Sequence, residues 1–303
     1  MNNDIAPPTP TQLMTPHILF LISPHPSGRP ARSDNALTLP AAFRRAGWQV
    51  SEAQHRNIHR TPRGLACSGT LLGEYSLIWP IGFGPRAGFL DWVQLLHDLA
   101  PRRLINPAAA MLLRHGKAAW SERQAVSHIA ADSATLVDAM LHETGDWVLK
   151  PLAGSYGEGV IRIAANATAR VHEVMAQHPS EHFVLQRFLP EIAQGETRTL
   201  VAGGEIIGSY LRVPDDELHA NLARQAKATA TTLSVEQRVL VNDIRADLLQ
   251  QHIGFAAIDT VGTTLMEVNV ANPGGLSTLN AVYTRDFGAA IVAATTAFID
   301  GSK

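Results

Sequence analysis

Two acids and an amide near the carboxyl terminus, Asp259, Glu267 and Asn269, have the types and spacing of a divalent-cation site. They lie in the stretch FAAIDTVGTTLMEVNVANPGG, residues 255–275. The segments FAAIDTV and TTLMEVNV are short and rich in apolar and β-branched residues. Gly262 and Thr263 separate them, which predicts a β-hairpin with a loop of about three residues. Counting outward from Thr263 sets Asp259 opposite Glu267, and strand alternation sets Asn269 on the face of Glu267. Like charges directly across a strand pair are destabilising unless a positive group lies between them. Mg2+ held by carboxylates together with substrate phosphates is a common intracellular solution. A hairpin whose polar face meets water is the other reading of the same residues.

Cations stand upstream of these acids. Lys150 ends an apolar strand in WVLKPLAGSYGEGVIRIA, and Gly154, Ser155, Gly157 and Gly159 follow before the strand IRIA. Glycines let backbone N–H groups approach phosphate oxygens and the ammonium supplies charge, so Lys150 and the loop through Gly157 suit a triphosphate. The stretch lacks GxxxxGK[ST] and joins two strands, so an ordinary glycine turn also accounts for it. Arg198 and Arg212 begin and end RTLVAGGEIIGSYLR, a predicted hairpin turning at Gly203-Gly204. Both arginines therefore lie at one end of neighbouring strands, facing either phosphoryl or carboxylate groups or simply water.

The elements that must position these residues form an α/β chain of 303 residues, 46% hydrophobic and 17% charged, enough for two or three soluble domains. A net charge of -2 and a pI near 6.7 show no basic excess of the kind that nucleic-acid or anionic-membrane binding requires. The single cysteine, Cys67, forms no internal disulfide, which fits a reducing cytosol. His55 and His59 are four apart, but Arg56 and Arg60 beside them repel a cation, so they read as surface residues. Residues 1–15 read as a disordered tail without the basic and apolar regions of a signal peptide, and no window approaches the roughly 20 apolar residues of a membrane span. A cytoplasmic protein is expected.

Residues 16–106 read as a doubly wound domain: strand HILFLIS, a helix ending at Arg44-Arg45-Ala46-Gly47, strand WQVSEAQ, strand YSLIWPI, helix GFLDWVQLLHDLA and a short strand RRLINP. Ligands of such sheets collect at the carboxyl ends of strands. Arg29, Arg32, Ser33 and Asp34 are thus candidates for a substrate contact, or Ser33 or Asp34 is simply a helix cap. A second domain begins near 107, with PAAAMLLRHGKAAW expected as a helix carrying Lys117 near its end.

The order of these features resembles an ATP-grasp ligase, most of all the prokaryotic glutathione synthetase. The resemblance rests on KPL with its glycine-rich loop, LQRFLPEIAQGETR, a hairpin ending in Arg212, then Asn221, AAIDTVG and LMEVNV. It covers about residues 105–275. It implies an ATP-grasp fold preceded by a Rossmann-like domain at 16–106, a lid subdomain at 107–189 and a catalytic subdomain at 190–303. It also implies that Lys117 and Lys150 hold ATP phosphates, that the backbone of Gln186, Arg187, Phe188 and Leu189 clasps the adenine, and that Glu196 takes the ribose hydroxyls. By the same resemblance Asp259, Glu267 and Asn269 bind Mg2+, or Mn2+ in its place. Arg198, Arg212 and Asn221 then face the transferred phosphoryl group and an acyl phosphate.

The implied activity is ATP-dependent joining of a carboxylate to an amine through an acyl phosphate, as in making glutathione from γ-glutamylcysteine and glycine. Partners would be a small acid and amine, with no nucleic acid or membrane, and a homo-oligomer is compatible. Three stretches depart from the family: GFGPRAGFLDW replaces an acidic segment, LARQAKAT follows Asn221 where glycines are usual, and ANPGGLSTL follows Asn269. All three fall near the acid and amine sites. The added Arg224, Gln225 and Lys227 favour an acid with an extra anionic group, and the absent acidic segment at Gly82 to Arg86 removes a partner for a substrate ammonium. A ligase of the same fold for another acid and amine is therefore the alternative reading. A non-catalytic nucleotide binder would be expected to lack one of Lys150, Arg198, Asp259 or Glu267, and all are present.

Overall fold

The structure, a computed structural model, describes residues 15–22, 34–82, 84, 86–153, 159–214 and 227–301. The apolar run HILFLI becomes β1 (His17–Ile22), a parallel neighbour of β2 (Gln49–Ala53) on one side and of β6 (Leu77–Ile81) on the other. α1 (Asp34–Arg45) and α2 (Arg86–Leu96) cover the two faces of this sheet, as a buried parallel sheet requires. Between β2 and β6 lies a small antiparallel sheet of β3 (Ile58–Thr61), β4 (Gly64–Cys67) and β5 (Thr70–Leu71), absent from the expected order of elements. It carries His59 exposed, whereas His55 just before it is buried against Trp92, ring centroids 4.2 Å apart. The surface reading of His55 is thus corrected, and burial pushes its imidazole down to about 3. RRLINP contributes a 3-10 turn at Pro101–Arg103 and one bridge, Leu104 to Ile78, instead of a strand.

The expected helix with Lys117 near its end is two pieces. α3 (Ala108–Leu113) stops before Gly116, and Lys117 opens a separate 3-10 stretch, Lys117–Arg123. A four-stranded antiparallel sheet follows, in the order β7 (Ser127–Ala130), β10 (Phe183–Arg187), β8 (Trp147–Pro151), β9 (Ile161–Ile163). It packs on α4 (Ser133–His142) and α5 (Thr168–Ala176) around Trp147, Leu149 and Phe183. The Asp132 carboxylate starts α4 by accepting from the Thr135 N–H at 2.8 Å.

The largest sheet has five strands in the order β13 (Lys227–Ala230), β12 (Glu205–Val213), β11 (Glu196–Ala202), β14 (Phe255–Val261), β15 (Thr264–Asn269). One face buries Val201, Ala256, Ile258 and Val268 under α6 (Val235–Gln250), which begins with a capping box of Ser234 and Gln237. The other face buries Leu200, Phe255 and Ala257 under α7 (Leu276–Tyr283), α8 (Gly288–Ile299) and the first domain's Phe20 and Trp79. β14 is buried along its whole length, so the solvated-hairpin alternative is set aside.

Candidate active site

The predicted register is present, Asp259 standing opposite Glu267, but a different turn produces it. Val261 pairs with Thr264 across a two-residue turn, and a bulge between the pairs Asp259–Glu267 and Thr260–Leu265 makes up the missing residue. The bulge turns Leu265 into the core beneath α6 and leaves Met266 with Phe188, Leu189, Ile192 and Val261 in a separate apolar patch. Asn269 Nδ2 donates to Asp259 Oδ2 at 3.2 Å, which gathers the three expected metal ligands at one end of the hairpin.

The positive charge that this juxtaposition demands is supplied by the chain itself. Arg198 donates from Nε to Asp259 Oδ1 at 2.8 Å and from a terminal nitrogen to Oδ2 at 2.6 Å, a bidentate pair. Arg212 reaches the same Oδ2 at 3.1 Å and also donates to Glu196. The side chains of Asp259, Arg212 and Arg198 are 2%, 7% and 14% exposed, so these are not surface arginines at strand ends. Burial opposes the ionised Asp259, yet Arg198 and Arg212 hold it below the usual carboxylate range. Burial pushes Glu196 up to about 7 in spite of Arg212, with Asp259 and Glu267 adding to the rise.

Facing this cluster are two lysines. Lys150 Nζ donates to Gln186 Oε1 at 2.8 Å, and Gln186 in turn donates to Ser127 Oγ at 2.9 Å. Burial pushes Lys150 down to about 8 against the pull of Glu267. Lys117 Nζ donates to the Leu152 carbonyl at 3.4 Å, and burial lowers it as well, again with Glu267 pulling the other way. Gln124 ties the two sheets together: it bridges to Leu265, and its Nε2 donates to the Met266 carbonyl at 3.0 Å.

The residues expected at the adenine are held by neighbouring segments of chain. The N–H groups of Arg187 and Phe188 donate to the carbonyls of Val126 and Asp146, at 2.8 and 2.9 Å. The Arg187 guanidinium stacks on Trp147 at 4.0 Å and pairs with Glu143, while Phe188 and Leu189 pack in the apolar patch. Gly154, Ser155 and Gly157, together with Asn221, Arg224 and Gln225, lie outside the described residues, as do Arg29, Arg32 and Ser33. Asp34 is the first residue of α1, and Lys227 is exposed at the start of β13.

Three residues of the site were not anticipated. Met266 floors the apolar patch; a regular hairpin would have turned it away. His115 Nδ1 accepts from the N–H groups of Val270 and Ala271 at 3.2 and 3.3 Å. Asn35 donates to the Pro273 carbonyl while its buried Oδ1 finds no partner among the described residues, beside a cavity of about 10 Å³ lined by Trp79, Phe255 and Asn272. No local signal marked these residues, because each is defined by a contact more than 60 positions away. The segment after Asn269 lies against the site: Arg198 donates to the Gly274 carbonyl at 3.2 Å, and Gly275 has a φ of 120°. A Cβ there would stand 2.3 Å from the Tyr210 hydroxyl and 3.3 Å from Arg198, so glycine is required.

The donor set fits hard ligands. Two carboxylates and an amide oxygen suit Mg2+, the buried Lys150 and the half-buried Lys117 suit phosphates, and the apolar patch suits a flat base. Among the described residues no cluster of three His, Cys, Asp or Glu side chains could hold a metal.

A family model described as "Prokaryotic glutathione synthetase, ATP-grasp domain" matches residues 117–284, more than half of the chain. Glutathione synthetase of Parasynechococcus marenigrum is 29% identical over 283 residues, covering 85% of this chain and 92% of that one. That of Gloeobacter violaceus is 29% identical over 297 residues, covering 86% and 90%. A synthetase of Neisseria meningitidis serogroup A is 35% identical over 143 residues, or 46% and 45% of the two chains. Among solved structures, D-cycloserine synthetase DcsG superposes with a TM-score of 0.67 at 18% identity, covering 94% of this chain and all of that one. The ATP-grasp ligase PsnB with a minimal precursor gives 0.68 at 13%, covering 94% and 99%; at such identities both speak to the fold alone. The chain belongs to the prokaryotic glutathione synthetase family of ATP-grasp proteins, and it is a carbon–nitrogen ligase that works with ATP and Mg2+.

Proposed function

We propose that this ligase joins γ-glutamylcysteine or a similar small acid to an amine, glycine in the first instance, through an acyl phosphate. The observation that carries the reading is the opposition of Lys117 and Lys150 on one side to Glu267, Asp259 and Arg198 on the other. That gap is lined with charge of both signs, as a triphosphate with its counter-ion requires.

Lys117 and Lys150 hold phosphate oxygens, and the patch of Phe188, Leu189, Ile192 and Met266 takes the base. Asp259, Glu267 and Asn269 would hold Mg2+, which when bound neutralises phosphate charge. Arg198 and Arg212 stabilise negative charge on the γ-phosphoryl group as it moves to the substrate carboxylate, ADP departing with the bridging oxygen's electron pair. The amine nitrogen then attacks the acyl carbon, phosphate leaves with the C–O electron pair, and the amine proton passes to solvent. Positioning and charge neutralisation supply the catalysis, so no covalent enzyme intermediate is needed. We divide the chain at 106 and 189 into a substrate domain, a lid and a catalytic subdomain, and place it in the cytoplasm. Among the described residues no helix is long and apolar enough to cross a membrane.

A second reading, ligation of a different acid and amine, is favoured by the segment 272–275. Its carbonyls are held by Asn35 and Arg198 beside the reacting groups, in a sequence that departs from the family. Incubation with Mg·ATP, γ-glutamylcysteine and glycine, followed by product mass and ADP release, decides between the two. Glutathione at a kcat/KM of about 10⁴ M⁻¹s⁻¹ or more supports the first reading. ADP release with another acid or amine from a panel, and no glutathione, supports the second.

A further inference from the structure

β15 leaves the sheet one residue after Asn269, and the place where it does so is held from a single segment of chain. The buried amide of Asn106 donates to the Val270 carbonyl at 2.7 Å, and it also binds both backbone groups of Phe255, at 2.6 and 2.9 Å. At the other end of α3, His115 Nδ1 accepts from the N–H groups of Val270 and Ala271. Successive N–H groups of an extended strand point to opposite sides, so two that converge on one acceptor mark the position where the strand ends. Two donors on Nδ1 also place the ring proton on Nε2. His115 lies two residues before Lys117, so one imidazole spans the gap between the phosphate-facing lysine and the strand that carries Glu267 and Asn269.

We propose that His115 is a positioning residue for the nucleotide and metal site. By ending β15 at Val270 and tying that corner to the segment of Lys117, it sets the distance between the Glu267 and Asn269 oxygens and the lysine ammonium. Asn106 anchors the same corner through Phe255 and Val270 but leaves both N–H groups unmet, so it does not replace the histidine. The inference rests on the assignment of Glu267, Asn269 and Lys117 to Mg·ATP.

Calorimetric titration of the whole chain with Mg·ATP, and with ATP in the presence of a chelator, tests it without any acid or amine substrate. His115→Leu keeps bulk but removes the acceptor, and its Kd for Mg·ATP should rise at least about tenfold, in the range seen when a group that orients metal ligands is lost. Chelated ATP should bind it within about threefold of wild type, because the contacts to base and lysines remain. His115→Asn carries an amide oxygen close to the position of Nδ1 and should restore most of the Mg·ATP affinity. If His115→Leu does not fold, His115→Ala, which admits water to the two N–H groups, should show the same selective loss. Wild-type affinity in the leucine or alanine variant overturns the proposal, as does an asparagine variant no better than leucine. Absence of Mg·ATP binding by the wild-type chain would instead overturn the site assignment on which it rests.

Discussion

Lys150 shows how burial and function meet in one side chain. Its ammonium is enclosed, bonded to Gln186, and pushed by desolvation from 10.5 to about 8, with Glu267 opposing the shift. Since its folded value lies below the unfolded one, the unfolded chain holds more protons between pH 8 and 10.5, and this group's contribution to stability rises with pH in that window. A polyphosphate has the opposite effect: it favours the charged ammonium and raises its pKa. Mg·ATP binding near pH 8.5 should therefore take up a fraction of a proton, measurable as a heat that differs between buffers of unequal ionisation enthalpy. Well below pH 7 Lys150 is already charged and this uptake vanishes. Lys150→Met should bind with less of it, Lys117 supplying the remainder, and a wild-type chain showing no uptake would place the lysines away from the phosphates. The type and spacing of Lys150, Asp259 and Glu267 were legible in the sequence. That Arg198 already compensates Asp259 was not, because the pair is 61 residues apart and depends on the pairing of β11 with β14.

The β14–β15 hairpin was read with the right partners and the wrong turn. A two-residue loop on a regular ladder would pair Asp259 with Met266; the bulge shifts the pairing so that Glu267 takes that place. Neighbouring residues thereby acquire different tasks. Leu265 is fully buried under α6, so Leu265→Ala should cost about 2–5 kcal/mol in urea unfolding, as large-to-small core substitutions do. Met266 belongs to the half-open patch with Phe188 and Leu189. Met266→Ala should cost less than about 1.5 kcal/mol while raising the KM for ATP. If both variants lost stability equally and ATP kinetics stayed unchanged, the bulge would be a packing feature without a role at the nucleotide. Periodicity could not reveal it, because a bulge is the interruption of a period.

At the scale of the whole molecule, the site lies between the four-stranded and the five-stranded sheet. Gln124 reaches Leu265 and Met266, and the charges of Lys117 and Lys150 face Glu267. Ligation across such a gap should stabilise both sides together. At one hundred times its Kd, Mg·ATP adds about 2.7 kcal/mol, which for a chain of this length corresponds to a Tm rise of about 4 °C. ATP with a chelator should give clearly less at the same concentration, since the acids then meet the triphosphate unscreened. An equal rise with and without metal in a thermal melt would remove Mg2+ from the assignment.

The sequence by itself determined the fold class and, through its resemblance to the prokaryotic glutathione synthetases, the family. Strand-length apolar runs, a lysine ending one of them, and Asp259, Glu267 and Asn269 at strand spacing are local features, and they point to phosphate and metal ligands. Only the tertiary structure decided how the charges cancel, which face Met266 takes, that His55 is buried, and that Asn106 and His115 fix the end of β15. Each of these depends on contacts between residues distant in the chain, where desolvation and packing, not local propensity, select the partner.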